Sequence, residues 1–192
     1  MNICNYSIKP IEFKLINELF RSSFGKNLDE SYWNWRMLNN PISNKIYINY
    51  LLEGGKLVAY YAVSPCEIVI NNKTYKVALS NMTMTHPSHS GKGYFKMLAT
   101  ALYQELKKDD FVAVYGFANA NSHYGFKKNL GWKDLNSLNI FSLEKKDFKK
   151  IEATTNLRLE SNEISENDLR ELEKLNYTEK SVYVKRSKEW MS

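Results

Sequence analysis

An α+β fold built on a mostly antiparallel central sheet is predicted by three features of the chain. Between Ile46 and Thr85, runs rich in Val, Tyr, Ile and Leu succeed one another with only short turns between them, at Gly54-Gly55 and at Asn71-Asn72-Lys73. Helix-patterned segments lie before and after this meander instead of alternating with its strands. After Gly93, the residues Phe95, Leu98, Ala99, Leu102 and Leu106 recur at helical spacing and draw one apolar stripe.

In chain order, Asn5 to Ile8 reads as a short first strand, stopped at Lys9-Pro10. Ile11 to Phe20 reads as an amphipathic helix with Leu15, Ile16, Leu19 and Phe20 on one face. Asp29 or Ser31 caps a second helix that carries Tyr32, Trp33 and Trp35 and ends at Asn40-Pro41. Strands are expected over Ile46 to Glu53, Lys56 to Ser64, Cys66 to Ile70 and Thr74 to Thr85. The next helix runs to about Lys108 and breaks at Asp109-Asp110. Phe111 to Phe117 reads as a buried strand. A short helix covers Ser122 to Leu130, with Gly131 as its C-cap. Final strands are expected from Trp132 onward and over Leu138 to Leu143. After about Lys145 the composition shifts: lysines cluster, Leu157 to Leu159 reads as a strand, and Ser165-x-x-Asp168 caps a helix bearing Leu169, Leu172 and Leu175.

The chain has 192 residues, so one main domain over residues 1–145 and an appendage over 146–192 are expected. No apolar run spans a bilayer, and no signal peptide pattern opens the chain. Cys4 and Cys66 lack metal-ligand spacing and read as reduced thiols of a cytoplasmic protein. His86, His89 and His123 are likewise unpaired with ligands at metal spacing, so no metal is expected. The net charge of +6 comes from scattered lysines. Without a concentrated basic patch it argues against nucleic acid and suits a solvated surface or a polyanionic small molecule.

The chemistry is expected at the stretch from Thr83 to Leu98: a strand end, a loop with Pro87, Gly91 and Gly93 but no acidic residue, then a helix. Such a loop aims free backbone N–H groups and the positive end of a helix dipole at one spot, which suits a phosphate or pyrophosphate. The spacing matches neither Gly-x-x-x-x-Gly-Lys-Ser/Thr nor Gly-x-Gly-x-x-Gly.

In motif and in order the chain resembles the GNAT acyltransferase superfamily. The resemblance rests on His86-Pro87-Ser88-His89-Ser90-Gly91-Lys92-Gly93-Tyr94-Phe95, then on Asn119-Ala120-Asn121-Ser122 and Leu130-Gly131-Trp132. It is close from Ile46 to Trp132 and looser over the N-terminal helices. The loop is most similar to the bacterial branch that carries a His-Pro-x-x-Arg-Gly-Lys-Gly-x-Phe-like sequence. The family pattern (Arg or Gln, two residues, Gly, one residue, Gly or Ala) falls on Ser90, Gly93 and Phe95. Ser90 lacks a long bracing side chain, which implies weaker coenzyme binding and not its loss.

The resemblance implies a GNAT-like sheet with helices on both faces and a wedge where the strand ending at Thr85 splays from Val112 to Phe117. Pantetheine would lie along Thr83, Met84 and Thr85 as an added strand. The pyrophosphate would sit on Ser90, Gly91, Lys92, Gly93, Tyr94 and Phe95. Asn121 or Asn119 would touch the pantetheine arm or cap the helix. A backbone N–H near Met84 would polarise the thioester carbonyl for direct attack by an amine. Tyr124 is the candidate general acid, with His123 as its rival, because the family's tyrosine position is Lys127 here. The stretch Lys76 to Thr85 holds no carboxylate, which leaves Glu67 and His86 as candidate bases. The implied activity is transfer of acetyl from acetyl-CoA to a primary amine of a small molecule, such as an amino sugar or amino acid derivative. Tyr32, Trp33, Trp35 and Tyr60 or Tyr61 are expected to wall the acceptor groove. The alternative is a non-catalytic acyl-CoA-binding or regulatory module. The last residues, Ser187 to Ser192, echo Ser31 to Arg36, so a homodimer or a missing C-terminal half is also expected. No nucleic acid and no membrane are expected as partners.

Overall fold

The computed structural model describes residues 2–135 and 182–185. Their elements are β1 (Cys4–Asn5), α1 (Phe13–Phe24), α2 (Glu30–Trp33), a π-helical turn (Asn34–Leu38), β2 (Tyr47–Glu53), β3 (Lys56–Ile70), β4 (Lys73–Thr85), a 3-10 turn (Pro87–His89), α3 (Tyr94–Lys108), β5 (Ala113–Tyr115), α4 (Ala120–Leu130) and β6 (Val182–Lys185). The strands form one sheet in the order β1-β2-β3-β4-β5, with β6 pairing β3 as well. All pairings are antiparallel except β4–β5. This is the α+β, mostly antiparallel architecture that the sequence predicts.

Turn chemistry fixes the meander. Gly54 and Gly55 both take positive φ between β2 and β3, and Asn71 (φ 49°) and Asn72 (φ 62°) do the same between β3 and β4. Both are two-residue hairpin turns whose twist matches their strands, and Asn tolerates the left-handed region better than most residues. The sequence predicts a break in β3 at Pro65, yet the strand runs through it. Pro65 pairs with Ala78 of β4, and its carbonyl accepts from Asn40 Nδ2 at 3.0 Å on the opposite side. A residue's N and O share one side of a strand, so the missing N–H faces away from β4. There β2 has already ended its pairing at Val63 and β6 begins only at Glu67, so no ladder bond is lost.

Two apolar layers cover the sheet. On one face Leu98, Ala99, Leu102 and Leu106 of α3 pack with Tyr61, Val63, Ala78 and Phe126. Each fully buried leucine there contributes roughly 1.5–3 kcal/mol. On the other face Ile16 and Leu19 of α1 pack with Trp33, Met37, Tyr60, Ala62 and Met84. Polar ties fix the C-terminal end of α3: Lys45 Nζ reaches Glu105 (2.8 Å) and Asp109 (2.6 Å), and Tyr47 OH donates to Asp109 at 2.9 Å.

Three expectations change. Phe111 to Phe117 contributes only the short β5, and Val112 and Phe117 are exposed. This strand pairs β4 by only three residues, so little of it is sandwiched. No strand forms over Gly131 to Leu135. Val182–Lys185, read as appendage, is a strand of the main sheet, and Lys185 Nζ reaches Glu67 Oε2 at 3.0 Å. The expected elements at 138–143, 157–159 and 165–175, and the C-terminal echo, lie outside the described residues.

Candidate functional site

The site forms where β4 leaves β5. Their parallel pairing covers Val77↔Ala113, Ala78↔Val114 and Leu79↔Tyr115 and ends there. From Ser80 to Thr85, β4 keeps a partner on the β3 side. In that stretch it also bulges: Tyr60 faces Met84 while Ala62 faces Asn81, and Met82 takes φ 47°. An extra residue in one strand bends it and re-aims the residues beyond it. Gly116, just past β5, lies close under this bend. A Cβ there would stand 3.2 Å from the Trp132 ring and 3.3 Å from the Ser80 carbonyl oxygen.

Strand alternation assigns the backbone groups of this edge. His86 N–H donates to Val58 O at 2.9 Å, and Met84 lies two residues earlier in unbroken register. Met84 N–H therefore also points to β3, and its side chain is buried in the α1 face. The N–H of Thr85 points the other way, to the edge that β5 has left.

Beyond Thr85 the chain makes a tight turn: His89 N–H donates to His86 O (2.8 Å) and Ser90 N–H to Pro87 O (3.2 Å). Gly91 and Gly93 both have φ 77°, a conformation open to glycine at little cost. Gly93 is the N-cap of α3, with no side-chain cap and no acidic residue in the first turn. The first helical bond is Met97 N–H to Gly93 O, so the preceding N–H groups of the turn lack helical acceptors. With Lys92 and Lys96 nearby in sequence, such groups offer chemistry that suits an anion. Ser90, Gly91, Lys92 and Gly93 are exposed, and Tyr94 and Phe95 are half-buried.

Behind the edge runs a hydrogen-bonded chain. Trp132 Nε1 donates to Tyr103 OH (3.0 Å), Tyr103 OH meets Tyr61 OH (2.7 Å), and Tyr61 OH meets Ser80 Oγ (2.9 Å). Burial first, then the neighbouring Tyr103, pushes the Tyr61 phenol far above its ordinary value, so it stays neutral. The chain ties β4, β3, α3 and Trp132, two residues past α4, at the point where β4 and β5 part. Sequence reasoning missed it, because Tyr61 is 19 residues from Ser80 and 42 from Tyr103, and no local pattern links them.

Helix α4 lies beside α3. The rings of Phe95 and Phe126 are 5.1 Å apart. Asn119 caps α4 through its side chain, which accepts from the N–H groups of Asn121 and Ser122. The Asn121 side chain is exposed. Tyr124 is exposed too, and its hydroxyl accepts from Lys128 Nζ one turn on, with the ammonium 5.1 Å over the ring.

The base candidates separate clearly. Glu67 is opposite Lys76, eight residues from Met84 along β4, or about 26 Å. It is bound to Lys185 and stands outside the site. His86 adjoins Thr85, with Nδ1 held by Ser88. The aromatic wall is smaller than expected. Tyr60 and Tyr61 are core residues because the central strand β3 is covered on both faces, and Trp33 of α2 is buried in the α1-side layer. Tyr32 and Trp35 reach the surface with rings 5.9 Å apart, on α2 and the π-helical turn. Among the described residues no group of three or more His, Cys, Asp or Glu is placed to hold a metal ion, and no helix is long and apolar enough to cross a membrane.

The sequence model of one protein family, described as the acetyltransferase (GNAT) domain, matches residues 7–134. No curated protein sequence matches the chain. Among solved structures, an aminoglycoside antibiotic 6'-N-acetyltransferase of Acinetobacter haemolyticus is similar at TM-score 0.54 and 18% identity, over 75% of this chain and 99% of that one. A predicted acetyltransferase of Clostridium acetobutylicum, solved with acetyl-CoA, is similar at TM-score 0.55 and 19% identity, over 73% of this chain and 95% of that one. An acetyltransferase of Trypanosoma brucei is similar at TM-score 0.54 and 14% identity, over 74% and 99% of the two chains. At these identities the likeness is one of fold.

Proposed function

The chain belongs to the GNAT acetyltransferase family, and we propose that it is an acyl-CoA-dependent N-acyltransferase that moves acetyl from acetyl-CoA to a primary amine of a small molecule. The observation that carries the reading is the α3 N-terminus, uncapped and free of acid, directly after a strand edge that has lost its neighbour. A pyrophosphate suits the N–H groups around Gly91 to Phe95, and an amide-bearing arm suits the open edge at Thr83 to Thr85. On this reading Thr85 N–H, one residue beyond Met84, is the donor placed to stabilise the thioester oxyanion. The neutral amine attacks the carbonyl carbon, the C–S bond breaks, and the thiolate takes a proton from Tyr124. His86 or a water chain takes the proton of the amine.

Tyr32 and Trp35, with Arg36 5.9 Å over the Trp35 ring, support an acceptor that offers a ring to stack on, such as an amino sugar or an aromatic amino acid derivative. Two free cysteines, Cys4 and Cys66, agree with a cytoplasmic site of action. A second reading, a module that binds acyl-CoA without turning it over, draws on the missing carboxylate of β4 and on the Lys128 bond to Tyr124.

The test is calorimetry with coenzyme A, then assay of free thiol released from acetyl-CoA across a panel of amines. Binding with amine-dependent thiol release is expected. Binding without release would favour the module, and no binding would overturn both readings.

A further inference from the structure

The loop ahead of α3 has few anchors. Gly91 and Gly93 are both left-handed, and glycine is the residue that loses most freedom when ordered. Its backbone bonds to the sheet stop at His86 N–H to Val58 O. Holding N–H groups ready for an anion therefore needs a side-chain tie, and the structure contains one.

His89 is the hub. Its imidazole is 14% exposed although the loop around it is at the surface. Nε2 bonds Glu53 Oε2, at the end of β2 beside the Gly54-Gly55 turn and 36 residues away in sequence. Nδ1 is 2.9 Å from Ser88 Oγ, and that hydroxyl is 2.8 Å from His86 Nδ1. A hydroxyl has one proton, so it donates to one imidazole and accepts from the other. The four side chains thus form one continuous chain from the β2–β3 hairpin to the end of β4. The Tyr94 ring, the first residue of α3, stacks on His89 at 6.3 Å and 30°. His89 accordingly touches the hairpin, the turn and the helix beyond the two glycines.

We propose that Glu53 and His89 are positioning residues for the anion-binding turn: they tie the β2–β3 hairpin to the α3 N-terminus and hold its N–H groups in place before a coenzyme pyrophosphate arrives. This deepens the proposed function and rests on it. Glu53 stands outside the loop motif and meets the turn through its bond to His89, with the Lys92 charge nearby. Removing either end of the tie makes binding carry the cost of ordering the loop, which weakens affinity without removing a ligand contact.

The experiment is a double-mutant cycle on coenzyme A binding. Calorimetry gives Kd for the unaltered chain, Glu53→Gln, His89→Ala and the double variant, and thermal melts of each without ligand check the fold. The expected result is a Kd up to about fivefold higher in each single variant, the upper end of the range for a partly exposed ion pair. The double variant should be no weaker than the worse single, with melting temperatures nearly equal throughout. A merely structural role would move the melts and not the coupling. Equal Kd in all four proteins, or losses that multiply in the double variant, would overturn the proposal while leaving the coenzyme site intact. Absence of binding by the unaltered chain would overturn the functional reading and this inference with it.

Discussion

Gly93 offers the sharpest test of the anion site, because one position sets two effects against each other. Gly93→Asp puts an L-residue where φ is 77°, at a strain of about 1–2 kcal/mol. No heavy atom lies within 4 Å of the new Cβ, so packing adds no further cost. A carboxylate at the N-terminus of α3 then returns roughly 0.3–1 kcal/mol through the helix dipole. The free protein should lose up to about 1.7 kcal/mol, several degrees of melting temperature at most. Binding behaves differently. At about 4 Å, one carboxylate and one phosphate charge repel by about 1 kcal/mol in bulk water and about 4 kcal/mol at the effective permittivity of a protein surface. At about 2 kcal/mol, between these two limits, coenzyme A affinity should fall about thirtyfold. Gly93→Asn carries the same strain without charge and should lose about fivefold at most. Calorimetry on both variants separates charge from geometry. Equal losses in Asp and Asn, or normal affinity in Asp, would refute a pyrophosphate at this helix terminus.

The same geometry sets other outcomes. Gly116→Ala should lower stability by about 1–3 kcal/mol by forcing Trp132 or β4 aside, seen as a lower melting temperature. Tyr103→Phe leaves Trp132 Nε1 and Tyr61 OH short of a partner and should destabilise by about 1–3 kcal/mol in chemical denaturation. Tyr124→Phe should slow thiol release at unchanged coenzyme A affinity, and equal turnover would remove it as the acid. The Asp109 carboxyl is held below the usual carboxylate range by its hydrogen bond to Lys45, against a smaller opposing effect of burial. A depressed carboxyl stabilises above its unfolded pKa and loses that contribution as pH falls through its folded pKa. The melting-temperature deficit of Asp109→Asn should thus be full at pH 7 and shrink as pH falls below about 4.

The features legible in the sequence were local. Gly54-Gly55, Asn71-Asn72 and the spacing from Phe95 to Leu106 each name their element, because turn angles and helical periodicity act within a few residues. The loop with Gly91 and Gly93 was legible for the same reason. The bulge at Met82 was not, since a methionine with positive φ carries no compositional mark. The π-helical turn at Asn34–Leu38 reads like ordinary helix, differing only in which carbonyl each N–H finds. Tyr60 and Tyr61 look like groove residues by type and are core residues because a central strand has no free face. The Glu53–His89 tie and the Ser80–Tyr61–Tyr103–Trp132 chain depend on distant pairing, which one sequence does not encode in any window. Val182–Lys185 was hidden because a four-residue run is too short to mark a strand or to name β3 as its partner.

That last strand bears on how the molecule is made. Strands β2, β3 and β4 are joined by two-residue turns, so their pairing closes small loops and forms early. Pairing Ile70 with Val182 instead closes a loop of more than one hundred residues, for which the length-dependent entropy alone comes to about 4 kcal/mol. During synthesis, residues 67–70 of β3 therefore wait with one open edge until β6 leaves the ribosome, long after the strand and loop of the proposed coenzyme site have emerged. An open edge recruits other chains, and Glu67, a charge at the start of that edge, acts as its guard until Lys185 arrives to neutralise it.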